Sequence, residues 1–178
     1  MFTISDSIFI NAPIERCFLL STSVELVGKT YGMKPLEGKT SGLLVAEDKL
    51  LWAGWKFGLP QMHEICITRY ERPSFFQDTM VRGRFKRYQY DHYFYEMNGR
   101  TVLNDKIRFT MPLGFIGSFV GRFIIVPYLS KRMHRRLGVL RRVAQDSKEW
   151  KKYLPEENEP DPHPVAAPPG ATTDRSGV

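Results

Sequence analysis

His92 and Asp105 lie thirteen residues apart, and the dipeptide between them, Asn98-Gly99, decides whether they meet. Asn-Gly is the strongest short hairpin signal, because a two-residue type I′ turn needs positive φ at both central positions. With those two residues as the whole loop, Met97 pairs with Arg100. His92 then falls opposite Asp105, Phe94 opposite Leu103, Tyr90 opposite Ile107 and Tyr88 opposite Phe109. Partners in an antiparallel pair share a side, so these eight residues form one face, apolar apart from its tyrosines and the His–Asp pair. Arg87, Gln89, Asp91, Asn104, Lys106 and Arg108 form the other, expected to face solvent. A carboxylate beside an imidazole fixes its tautomer and favours its charged form, while burial opposes that charge. Such a pair serves either as a self-satisfied core contact that sets sheet register, or as a polar anchor or acid–base group in a cavity.

Other candidates follow from spacing. Phe76, Asp78 and Met80 share a face by the period of two, which makes Asp78 either a second inward carboxylate or half of a buried ion pair. Trp52 and Trp55 are three apart on an expected strand, so one faces the core and one the surface. His63-x-x-Cys66 has the residue types of a metal site. On a strand, however, the two point opposite ways and no second pair completes a tetrahedron, so no metal is expected. The sequence has no glycine-rich phosphate loop and no Gly-x-Ser-x-Gly elbow, and nothing in it asks for a cofactor.

The elements that must position these residues are legible from periodicity. Phe2, Ile4, Ile8 and Ile10 alternate as a strand flawed by Asp6. Asn11, as N-cap, precedes Pro13 and a helix through Cys17, Phe18 and Leu20. A weaker helical stretch, Val24 to Val27, ends at Gly28 or Gly32. Strands are expected at Leu43–Ala46, Leu50–Phe57, Met62–Tyr70, Phe75–Val81, Phe85–Met97 and Arg100–Met111, with turns short enough for an antiparallel meander. Val126, Leu129, Met133, Leu137, Leu140 and Ala144 make one helical stripe, and Lys131, Arg132, Arg135, Arg136, Arg141 and Arg142 largely occupy the rest of that surface. This helix is expected to run from Pro127 to about Tyr153. The fold class is therefore α+β: a curved sheet of about seven strands around a long C-terminal helix, with two short helices after the first strand. A cavity remains wherever sheet and helix do not meet completely.

Composition bounds the rest. The 178 residues suit one domain, expected at 1–154. The Pro-rich acidic stretch 155–178 cannot bury enough surface to order itself and is expected to be disordered. The chain has a formal charge of +7, and since 155–178 holds five acids and one base, the remainder carries about +11. That charge attracts anionic surfaces without naming one. Two cysteines far apart fit a reducing compartment, and no leader pattern is seen at the start, so a cytoplasmic location is expected. The basic helix lacks the interleaved exposed aromatics of an RNA binder, and no nucleic-acid partner is expected. Leu113–Leu129 is largely apolar but broken by Arg122, Pro127 and three glycines. It reads as a short helix and loop over the cavity mouth, or, with the basic residues up to 136, as a peripheral contact with an anionic membrane through Phe115, Phe119 and Phe123.

The pattern Tyr88-x-Tyr90-x-His92-x-Phe94, then Gly99-x-Thr101-x-x-x-Asp105-x-Ile107-x-Phe109-x-x-Pro112-x-Gly114, resembles the cyclase/dehydrase branch of the START-like (SRPBCC) superfamily. Upstream, Ala12-Pro13-Ile14-Glu15, Gly42, Asp48-x-x-x-Trp52 and Pro73-x-x-Phe76-x-Asp78 extend the likeness over about residues 3–150. Tyr88 and Tyr90 depart from it, standing where Trp and His are frequent. The resemblance implies a helix-grip fold that binds a lipid, polyketide or other small hydrophobic molecule. The expected ligand contacts are Trp52, Phe76, Asp78, Tyr88, Tyr90, His92, Phe94, Leu103, Ile107, Phe109, Met133 and Leu137. An enzymatic alternative makes His92 the general acid–base, Asp105 its orienting group and Tyr90 the donor to a developing oxyanion. A third reading is a membrane-docking lipid carrier or interaction protein.

Overall fold

The computed structural model describes residues 1–56 and 59–154. The disorder expected of 155–178, and the end of the strand expected to reach Phe57, fall outside the described residues. β1 (Phe2–Ile10) leads into α1 (Ile14–Thr22) and α2 (Val24–Tyr31). There follow β2 (Lys34–Gly38), β3 (Lys49–Lys56), β4 (Leu59–Glu71), β5 (Phe75–Arg82), β6 (Arg87–Met97) and β7 (Arg100–Thr110). The short connections leave no room for crossovers, so β2 to β7 meander, and β1 closes the order β1-β7-β6-β5-β4-β3-β2, every pair antiparallel. Register shifts at Glu64/Ile65 and Ile67/Arg69 put bulges in β4, which bend a sheet and raise its twist.

The chain then becomes helical without a break. α3 (Gly114–Val120) passes through a π-helical turn at Gly121–Ile125 into α4 (Val126–Gln145), which has Pro127 in its first turn. The stripe Leu129, Met133, Leu137, Leu140 and Ala144 is buried. It joins one core cluster with Ile4, Ile10, Leu103 and Ile107 of the sheet and Phe18 of α1. A helix apolar on one stripe and a sheet apolar on one face can only satisfy both by packing together. In α2, Gly32 (φ 60) supplies the left-handed C-cap. Gly28 lies against the Trp52 ring, where a Cβ would come within 3.2 Å of it. That close approach seats Trp52 under the helix.

Three expectations about elements are corrected. Asn11 is not the cap of α1: Pro13 occupies that position, and the Asn11 N–H donates to Gln145 Oε1 (3.0 Å). Leu43–Ala46 is not a strand. Only Leu43 bridges, to Ser23, while Leu44 N–H donates to Thr22 O, so the segment binds across the α1–α2 junction. The strand is instead β2, whose Pro35 suits an edge and whose apolar Leu36 is exposed, leaving no alternation to read. Finally, α4 stops at Gln145 rather than near Tyr153. Asp146 turns extended and accepts the N–H groups of Lys148 and Glu149, opening a separate 3-10 turn, Trp150–Lys152.

Candidate functional site

Asn98 and Gly99 both have positive φ (53° and 72°), and Met97 pairs with Arg100. His92 therefore lies opposite Asp105, and the carboxylate, fully buried, is the centre of a polar cluster. His92 Nδ1 lies 2.7 Å from Asp105 Oδ1. The Tyr90 hydroxyl donates to Oδ2 at 2.7 Å, and Arg136 Nη1 donates to the same oxygen at 2.6 Å. On the far side of the imidazole, Nε2 stands 3.3 Å from Asp78 Oδ2. The His92 ring is held between Phe76 and Tyr90, with centroids 4.2 and 4.0 Å away. The sheet thus supplies Asp78, Tyr90, His92 and Asp105 from three adjacent strands, and α4 supplies the guanidinium.

The electrostatics follow from this crowding. Burial pushes the Asp105 carboxyl up, but Arg136, then His92, then the hydrogen bonds from His92 and Tyr90 outweigh it and hold the group below the usual carboxylate range. Asp105 is ionised and can only accept, so the Nδ1 proton belongs to His92. Burial opposes charge on Arg136, yet the Asp105 carboxylate beside it raises its proton affinity. Tyr88 and Tyr90 are pushed well above the usual phenol range, chiefly by burial. Tyr31 moves the same way for the same reason, and it shares a hydrogen bond with Tyr90. Burial lowers His63, which favours its neutral form.

Beside the cluster the sheet and helices line a partly open cavity of about 390 Å³. Trp52, Phe76, Asp78, Tyr88, Tyr90, His92, Ile107 and Met133 line it. Phe94, Leu103, Phe109 and Leu137 share the inward side but do not reach it. Phe18 of α1 packs on Phe94 (5.3 Å), and Phe2 and Phe85 cover Phe109 (5.1 and 5.3 Å). Leu103 and Leu137 are buried in the core cluster. Asp105 too lies behind the wall and acts on the cavity through His92, Tyr90 and Arg136, which all line it. Trp55, 72% exposed, is the outward tryptophan of its strand.

Arg136, expected on the solvated surface of the helix, is buried instead. The signal is present in its spacing, since 136 follows 129 by seven and 133 by three, inside the apolar stripe. Asp91 is likewise buried on a face expected to be solvated. Gln77 Nε2 and Gln89 Nε2 each donate to it at 2.8 Å, and Arg108 pairs with it. Long neighbouring side chains close over that carboxylate. Tyr31, His63, Arg84 and Arg132 also line the cavity, brought there by α2, β4, the β5–β6 turn and α4, and no pairwise spacing announces them. Arg132 donates to the Tyr128 hydroxyl (2.8 Å) and stacks over the Tyr31 ring (4.4 Å). Among the described residues no group of three His, Cys, Asp or Glu could hold a metal ion.

Known structures share this architecture. The chain superposes on TTHA0849 from Thermus thermophilus with a TM-score of 0.65 and 14% identity, over 79% of this chain and 95% of that one. It matches Ara h 8.0201 with a TM-score of 0.57 and 10% identity, over 79% and 95%. It also matches BexL, the di-domain ARO/CYC of the BE-7585A biosynthetic pathway, with a TM-score of 0.65 and 14% identity, over 82% of this chain and 50% of that one. The chain has the START-like helix-grip fold. No protein-family model and no curated protein sequence matches it.

Proposed function

We propose that this protein binds a small amphipathic molecule, of lipid, polyketide or other aromatic type, in the cavity between sheet and helix. The observation that carries the reading is the cavity itself. Its volume, about 390 Å³, lies within the roughly 300–1,000 Å³ of ordinary ligand sites. Its wall is largely aromatic and aliphatic, with a few polar groups among them, as in ordinary small-molecule sites. The ligand's apolar body lies against Trp52, Ile65, Phe85 and Met133, and its polar group reaches Asp78 and Tyr88 beside the His92 ring. Burying apolar ligand surface contributes roughly 25 cal/mol per Å². Binding is favoured over proton-transfer catalysis because both imidazole nitrogens are engaged and the Tyr90 hydroxyl already donates its hydrogen bond to Asp105. Asp105 is then a positioning residue that holds His92, Tyr90 and Arg136 in the wall. The unpaired thiols of Cys17 and Cys66 support a reducing compartment, the cytoplasm.

Titration with a dansyl-labelled fatty acid tests this, alongside native mass spectrometry of the purified protein. The expected result is saturable one-to-one binding with quenching of tryptophan emission, because Trp52 lines the cavity. The reading fails if the probe does not saturate and no small molecule co-purifies.

A further inference from the structure

The helical segment that closes the cavity has two faces, and only the inner one is accounted for by ligand binding. Val120 and Ile125 line the cavity, and Gly121 packs so tightly on Phe2 and Met111 that no Cβ would fit. On the outer side, Leu113, Phe115, Ile116, Phe119, Phe123 and Ile124 stand in water, with Phe115 84%, Phe119 64% and Phe123 61% exposed. The Phe119 and Phe123 rings touch each other, centroids 4.7 Å apart, so they form one patch rather than scattered residues. Contiguous exposed apolar surface of this kind marks an interaction site.

Charge says what covers it. No Asp or Glu occurs between Asp105 and Asp146, a stretch that holds nine Lys or Arg. Arg122 lies within the patch, and Lys131 and Arg135 follow on the next turns; all three are exposed, and none pairs with a carboxylate among the described residues. Large apolar side chains projecting from a helix, flanked by unpaired cations, fit the interface of an anionic bilayer. No helix among the described residues is long and apolar enough to cross a membrane, so insertion stops at the headgroup and upper acyl region. We infer that α3 and the π-helical turn after it dock this protein on an anionic lipid bilayer. Phe115, Phe119 and Phe123 insert, Arg122, Lys131 and Arg135 hold the headgroups, and the opposite side of the same turns lines the cavity. Docking does not depend on what the cavity binds.

The test is co-sedimentation of the full chain with vesicles of phosphatidylcholine alone, or mixed with phosphatidylglycerol. The triple variant Phe115→Ser, Phe119→Ser, Phe123→Ser removes only exposed side chains, and circular dichroism verifies that it folds. The wild type is expected on the mixed vesicles at least about tenfold more than on neutral ones, with the difference falling steeply as salt rises. The triple variant is expected to lose about tenfold or more in partitioning, and Lys131→Glu with Arg135→Glu to lose the preference for phosphatidylglycerol. Three results overturn the inference: no sedimentation with mixed vesicles, equal sedimentation of the triple variant, or equal binding to neutral vesicles. A wild-type dimer in analytical ultracentrifugation that the triple variant loses would assign the patch to self-association and overturn it as well. Dansyl-fatty-acid binding read on the same samples separates failure of docking from failure of the cavity.

Discussion

At the scale of single residues, the buried carboxylate of Asp105 decides most. It receives Tyr90, His92 and Arg136, and no water-facing surface is left to it. Removing one partner of a buried pair strands a charge, which costs about 3–5 kcal/mol. Arg136→Met is therefore expected to lower the unfolding free energy by that amount in urea denaturation. The double variant Asp105→Asn with Arg136→Met should lose less than the two singles summed, because the stranded charge is gone. A loss under about 1 kcal/mol would mean the pair behaves like an exposed one and would refute its central role. The pH dependence has a definite sign. Asp105 is held below its unfolded value, so its contribution is present above roughly pH 4 and is lost as pH falls through the lower folded value. Arg136 is the largest lowering influence, so Arg136→Met should shrink that acid-side loss. Half of this cluster can be read in the sequence: the turn residues set the His92–Asp105 register, because strand pairing is arithmetic once a two-residue loop is known. Arg136 escapes such a reading because residue type suggests solvent while its spacing places it on the buried stripe, and burial is a property of the packed pair.

At the scale of elements, the β6–β7 hairpin carries the site, and its turn is where sequence and backbone meet most tightly. Gly99 sits at φ 72 with open space where a Cβ would go. Gly99→Ala therefore meets no clash, and its cost is the conformational one of an L-residue held left-handed, about 1–2 kcal/mol. Thermal unfolding should show a midpoint lower by about 2–8 °C, with dansyl-fatty-acid affinity unchanged because the register stays the same. Lost affinity would show that the turn does more than close the hairpin. The same arithmetic fails for elements without alternation. β2 pairs with β3 through backbone groups at an exposed edge, so its side chains carry no period to read. Asp91 follows the period faithfully but is covered by the long side chains of Gln77, Gln89 and Arg108, and an outward direction on a strand is not the same as exposure. The end of α4 falls short of the apolar pattern because Asp146 satisfies two following N–H groups with its own side chain, a local competition that the stripe does not register.

At the scale of the whole molecule, the cavity exists because α4 does not settle fully onto the sheet, with α2 on one side of the gap and the α3 turns on the other. No single residue encodes that spacing, which is why the shared inward face is legible while the lining is not: Phe94 and Phe109 are filled over by Phe18, Phe2 and Phe85, and Trp52 and Tyr88 are left open. If the void is a binding site rather than a packing fault, filling it should separate stability from function. Val27 of α2 is half-buried and lines the cavity. Val27→Trp places an indole in the space a ligand would take, adding apolar contacts to the aromatic and aliphatic wall. Unfolding free energy is expected to stay within about 1 kcal/mol of wild type or to rise, since added volume is costly only where a core is already full. Dansyl-fatty-acid affinity should fall at least about tenfold, the loss of roughly 1.4 kcal/mol of contact. Sedimentation with phosphatidylglycerol vesicles should be unchanged, because the exposed phenylalanines lie on the far side of the wall. A variant that is stable yet binds the probe at full strength would place the ligand elsewhere. One that binds neither probe nor vesicles would contradict the independence of docking from the cavity.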